Sequence, residues 1–132
     1  MKLITRDTDY AIRALGCIAV SKKEMVTAGQ LVKELDIPRP FLRKILQALN
    51  KKGILRSCKG KDGGFSLAAK SADINVLEII EIFQGPFQLN EHLFKGKTCP
   101  NIDTCKFKKR TDKMEQNMRK DLEAITIKDV LK

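Results

Sequence analysis

Little in this chain suits catalysis. Its 132 residues hold a single histidine, His92. No nucleophile–base arrangement or carboxylate pair can be identified, and Cys99 and Cys105 are too far apart in sequence for a Cys-x-x-Cys pair, so no enzyme is expected. No apolar run approaches the roughly 18 residues of a membrane span. The segment Met1–Asp7 runs into charge without the apolar stretch of a signal peptide, so a cytoplasmic location is expected. In that compartment the four cysteines do not suggest a disulfide framework. Internal repeats and low-complexity tracts are absent. The most informative absence is one of acid: from Arg39 to Lys61 there is no aspartate or glutamate.

That same stretch carries Arg39, Arg43, Lys44, Lys51, Lys52, Arg56, Lys59 and Lys61, within a chain of net charge +10. Such a charge-pure run favours a polyanion, and a nucleic-acid face outweighs a merely solvated one. Hydrophobic residues at 42% and charged ones at 32% describe a folded domain. The length suits one compact unit.

The periodicity predicts a mainly helical chain. Ala11, Ala14, Leu15, Ile18 and Ala19 form one helical stripe. Thr27 caps a short helix holding Leu31, Val32 and Leu35, which Asp36-Ile37-Pro38 breaks. A third helix runs from about Arg39 to Lys52, with Pro40 tolerated in its first turn and Gly53 closing it. Its core stripe is Leu42, Ile45, Leu46 and Leu49; Arg39, Arg43, Lys44, Gln47 and Asn50 face outward. Two helices about a tight turn, the second with a basic and amide face, fit a helix-turn-helix.

Ile54–Cys58 and Phe65–Leu67 flank Lys59-Gly60-Lys61-Asp62-Gly63-Gly64, a hairpin with lysines at its tip, as in a DNA-binding wing. The glycine-rich turn does not run into a helix with a Lys-Ser/Thr ending, which argues against a nucleotide-phosphate loop. Asn75 caps a helix with Val76, Ile79, Ile80 and Phe83 on one face, ended by Gly85-Pro86. A loop from Phe87 to Asp103 leads to a long helix, about Thr104 to Ile125. Its sparse apolar positions Phe107, Met114, Met118 and Leu122 suit one seam against a partner helix. Thr126 and Asp129 predict a capping box for a last turn. The expected organisation is a winged helix-turn-helix head over 1–85 and a sensor loop with a dimerisation helix over 86–132, in one compact domain.

Four motifs in order resemble one family: Thr8-Asp9-Tyr10-Ala11-Ile12-Arg13-Ala14-Leu15, Ile37-Pro38-Arg39-Pro40-Phe41-Leu42-Arg43-Lys44-Ile45-Leu46, the wing Gly60-Lys61-Asp62-Gly63-Gly64-Phe65-Ser66-Leu67, and Ile74-Asn75-Val76-Leu77-Glu78-Ile79-Ile80 closing at Gly85. The chain is similar over nearly its whole length to the Rrf-type winged-helix transcriptional regulators of bacteria. The resemblance implies a homodimer crossed through its long C-terminal helices, two heads on a palindromic double-stranded DNA site, and repression as the usual outcome. It also implies base reading at Arg43 and a minor-groove contact at Lys59, where relatives carry arginine. The DNA-binding set expected is Thr27, Arg39, Pro40, Arg43, Lys44, Gln47, Arg56, Lys59, Gly60 and Lys61. The alternative is a basic winged-helix module for RNA or a protein, without a sensing role.

Cluster-binding members of that family carry three cysteines spaced by five residues, and some add an acidic ligand from the first helix. Cys99 and Cys105 match that spacing, Thr111 stands at the third position, and Asp9 matches the acidic one. An iron–sulfur cluster ([2Fe–2S] or [4Fe–4S]) on Cys99, Cys105 and Asp9 would need a fourth ligand from Cys58 or His92. A zinc ion on His92, Cys99 and Cys105, a reversible Cys99–Cys105 disulfide, and no cofactor at all are the other readings. Iron–sulfur, nitrosative and redox signals all remain open. The start of the long helix makes Cys105 the thiol expected to react first.

Overall fold

A computed structural model describes residues 2–61, 63–94 and 96–131, with the side chain of Phe94 left aside. The wing-tip residue Asp62 therefore lies outside the described residues. Helix α1 (Arg6–Val20) buries Ala11, Ala14, Leu15 and Ile18 of the predicted stripe together with Thr8, and half-buries Ala19. α2 (Ala28–Leu35) opens on a full capping box. Thr27 Oγ1 accepts from the Gln30 amide at 3.1 Å, and Gln30 Oε1 accepts from the Thr27 amide at 2.9 Å. Two otherwise orphaned donors are thus satisfied. Asp36 ends the helix in the left-handed region at φ 53°. α3 (Arg39–Lys51) then starts with Pro40 in its first turn and buries Leu42, Ile45, Leu46 and Leu49.

Strands β1 (Leu55–Cys58) and β2 (Gly64–Leu67) pair antiparallel, with Leu55 opposite Leu67 and Cys58 opposite Gly64. Val26 adds a third element, exchanging amide hydrogen bonds with Phe65 at 2.9 and 2.8 Å. This three-way junction explains Gly64, and the tight hairpin turn explains Gly63. A Cβ on Gly64 would sit 2.6 Å from the Val26 carbonyl oxygen, and one on Gly63 2.3 Å from that of Cys58. Both clash with backbone, which cannot swing aside.

After a 3-10 turn (Ser71–Asp73), α4 (Val76–Gln84) is capped by Asn75, whose Oδ1 accepts from the Glu78 amide at 2.8 Å. α4 is buried on two sides. Ile79 joins the main core, while Val76, Leu77 and Ile80 pack with Phe87 and Leu122 in a second cluster. The loop-rich stretch after α4 contains a small hairpin, β3 (Leu93–Phe94) with β4 (Lys97–Thr98). α5 (Lys106–Ala124) has 19 residues, about 28 Å at 1.5 Å per residue. The chain then returns to the head. The Val76 amide donates to Ile125 O at 2.8 Å, the Ile127 amide to Ile74 O at 2.9 Å, and Ile127 is fully buried in the main core. α6 (Ile127–Val130) carries the predicted capping box of Thr126 and Asp129.

Candidate nucleic-acid interface and sensor loop

The core stripe of α3 fixes what its other face presents. With Leu42, Ile45, Leu46 and Leu49 turned inward, 100° per residue leaves Pro40, Arg43, Lys44 and Gln47 on the outer side, and all four are exposed. Arg39 is exposed at the first turn, its guanidinium 3.4 Å from where a Cβ on Gly29 would lie. Thr27 is exposed, and its hydroxyl oxygen is taken by the Gln30 amide while its own proton remains free to donate. On the wing, Arg56 stands opposite Ser66, and Lys59, Gly60 and Lys61 are exposed at the tip. Gly60 holds φ 114° and its carbonyl accepts from the Gly63 amide at 3.1 Å.

Every one of the eight basic side chains from Arg39 to Lys61 is exposed, and among the described residues none of them enters an ion pair. Unneutralised cations on a helix face and a hairpin tip of one small head match a duplex, whose phosphates flank the groove that a helix enters.

The segment after α4 lies against α5 and the end of α4. The Leu89 amide donates to Glu115 Oε1 at 2.9 Å, the Phe87 amide to Glu81 Oε2 at 3.1 Å, and Arg119 reaches Glu81 at 3.5 Å. His92, at φ 56°, places Nε2 3.1 Å from Asp112 Oδ1, and its carbonyl accepts from the Cys99 amide at 3.0 Å. The Lys108 ammonium holds the other oxygen of Asp112. This hydrogen bond, with desolvation opposing it and His92 adding to it, keeps the Asp112 carboxyl below the usual carboxylate range; it raises Lys108 in return. None of these partners was visible as a pair in the sequence.

Cys105 itself is the N-cap of α5, which starts slightly later than the expected Thr104, and its Sγ accepts from the Lys108 amide at 3.3 Å. Cys99 and Cys105 are half-buried. The remaining cysteines differ sharply. Cys58 is exposed on the wing. The Cys17 thiol donates to Glu34 Oε2 at 2.7 Å, and burial first, then this hydrogen bond, push it up to about 11.

The implied cluster finds no complete set of donors here. Asp9 is engaged by Arg13 at 2.9 Å and His92 by Asp112. Among the described residues of one chain, no three His, Cys, Asp or Glu side chains gather as metal ligands. Two thiols alone do not fit an iron–sulfur cluster or a tetrahedral zinc site.

The seam also differs from expectation. Phe107 is 68% exposed and Met114 57%, as a surface awaiting a partner would be. Leu122, expected in that seam, is only 7% exposed because Val76, Leu77, Ile80 and Phe87 of its own chain cover it, and Met118 packs on the same cluster. The C-terminal half of α5 thus serves the head, and its N-terminal half carries the free apolar surface.

Residues 4–132 match the family model of Rrf2, described as iron-dependent transcriptional regulators. A chain of Aquifex aeolicus named as an HTH-type transcriptional regulator is 31% identical over 124 residues, covering 92% of this chain and 86% of its own length. The HTH-type transcriptional regulator NsrR of Oceanobacillus iheyensis is 29% identical, with 95% and 86% covered. Among solved structures, the global cysteine regulator CymR of B. subtilis superposes with a TM-score of 0.77 at 16% identity, covering 98% and 96%. IscR of T. potens gives 0.73 at 23%, covering 98% and 85%. At those identities the structures establish the fold, a winged helix with a C-terminal helix. These relatives are regulators and not enzymes. The match along almost the entire sequence, on this fold, makes the chain a member of the Rrf2 family of transcriptional regulators.

Proposed function

We propose that the protein is a homodimeric, DNA-binding repressor that places its two heads on a two-fold symmetric operator. The observation that carries this reading is the set of exposed cations on α3 and the wing, none of which enters an ion pair among the described residues. In this reading the outer face of α3 enters the major groove, with Arg43 on a base edge and Arg39, Lys44 and Gln47 beside it. Thr27 and Pro40 lie at the backbone entrance to the groove. Arg56, Lys59, Gly60 and Lys61 set the wing against phosphates and the neighbouring minor groove. Lysine at position 59 makes that contact mostly electrostatic, since a narrow groove favours arginine.

Phe107 and Met114, with the open side of Met118, form the surface for a second copy. Nitrosative and redox signals act on thiolates without needing further ligands, so Cys99 and Cys105 are where such a signal enters. Cys105 caps the helix that bears the dimer surface, and that helix packs on α4 of the head through Leu122. Chemistry at the cap can therefore tilt the heads relative to one another.

The test is a binding titration against a site selected from a random duplex pool. Arg43→Ala loses discrimination between selected and mutated sites, as expected for a base contact of about 1–3 kcal/mol. Lys59→Ala and Lys61→Ala weaken all duplexes alike. Unchanged affinity and selectivity in all three variants would overturn the assigned face.

A further inference from the structure

The first turn of α1 is held by a side chain of α4. Gln84, at the end of α4, accepts from the Thr5 amide at 3.0 Å and from the Thr8 hydroxyl at 2.6 Å, both through Oε1. Its Nε2 donates to the Leu3 carbonyl at 3.1 Å. Thr8 is fully buried. One side-chain amide therefore holds the backbone just before Arg6 and the buried Thr8 hydroxyl just after it.

From that anchored turn the Arg6 guanidinium lies 4.9 Å from the ring centroid of Phe41. Phe41 belongs to α3 but not to its core stripe, and it is 40% exposed. At 100° per residue it falls on the flank between the buried face and the outer face, one helical turn before Lys44. An open aromatic ring there adds little to the core and offers a guanidinium a π face. Arg6 is exposed and, among the described residues, enters no ion pair. It is a preorganised cation beside the recognition helix, supplied from outside the helix-turn-helix. A helix lying in the major groove has a phosphate wall on each flank.

We propose that Arg6 is a phosphate-contacting residue of the DNA interface and that Phe41 is its positioning residue. The inference rests on the reading of α3 and the wing as the DNA-facing surface, and it extends that surface to the start of α1. The guanidinium fork suits a phosphate, and the ring limits the rotamers it must give up on binding.

The experiment is a titration of the full-length protein against a random-sequence duplex over a salt series, with thermal melts confirming that each variant folds. R6A is expected to weaken binding about two- to fivefold, the range of an exposed ion pair. It should also make the log–log salt slope shallower by about 0.9, the loss of one phosphate contact. R6Q, close in length but uncharged, should behave like R6A, whereas R6K should retain the slope. F41L should give part of the loss, and F41L added to R6A should add little further. If R6A and R6Q keep both the affinity and the slope while K59A and K61A lower them, Arg6 is not a phosphate contact and the proposal fails alone. If none of these variants changes either quantity, the DNA face itself is wrongly placed and the proposal falls with it.

Discussion

Replacing Ile127 by alanine should damage the head although the residue lies at the far end of the chain. Its side chain is fully buried in the main core, α6 packs on α1 and on the Ser71–Asp73 turn, and the Ile127 amide is tied to Ile74. The substitution removes three carbons, at about 0.8 kcal/mol for each buried methylene-sized group, or roughly 2.4 kcal/mol of transfer free energy. The cavity left behind adds to this, because a core flanked by helices on several sides collapses only partly, so the expected loss is about 3 kcal/mol. For a domain of this size that lowers the melting temperature by roughly 10 °C. Val130→Ala, at an exposed position three residues on, should stay within about 0.5 kcal/mol. Urea denaturation of the two variants beside the parent reads both numbers. A loss below about 1 kcal/mol for Ile127→Ala, or equal losses for the two, would refute the claim that the tail is part of the head's core.

Charge at the free part of the seam, as in Met114→Asp, should give monomers by sedimentation equilibrium and weaker duplex binding with an unchanged melting curve at low concentration; a dimer that persists would move the partner surface elsewhere. With limiting iodoacetamide at neutral pH, Cys17 should be alkylated last, since its thiol is pushed up to about 11 and only the thiolate attacks. Glu34→Gln should speed that reaction, and Cys105, at the helix start, should be labelled first, with peptide mapping by mass spectrometry as the readout. Asp112 titrates below its ordinary value of 3.8, so its contribution to stability is present above that pH and is lost as pH falls through the lower folded value. Asp112→Asn should therefore flatten the acid limb of a stability–pH profile below about pH 4, and an unaltered limb would show that the Lys108–Asp112–His92 contacts do not hold the loop.

The parts of this molecule that a reader of the sequence finds are those written in local chemistry. Thr27, Asn75 and the Thr126–Asp129 pair cap the helices they were expected to cap, because a cap depends on residues three positions apart. The wing is legible because its turn glycines and flanking β-type runs are contiguous. Gln84 gave no such sign: its partners Thr5 and Thr8 are 79 and 76 residues away. The burial of Leu122 was misjudged for a related reason. A sparse apolar stripe looks the same whether its cover is a second copy or the chain's own α4. The two-residue strands β3 and β4 are too short to leave a periodic pattern. His92 and Asp112 meet only because the loop folds back on α5.

The dependence of duplex binding on salt tests the central claim most directly. Eight exposed cations on α3 and the wing of each head, if they face DNA, release condensed counterions on binding. With half of them on phosphates, the log–log slope for one head should be about −3.6, doubling for two heads on one site. A weak slope, of magnitude below about one between 50 and 200 mM salt, would contradict a DNA interface on this face.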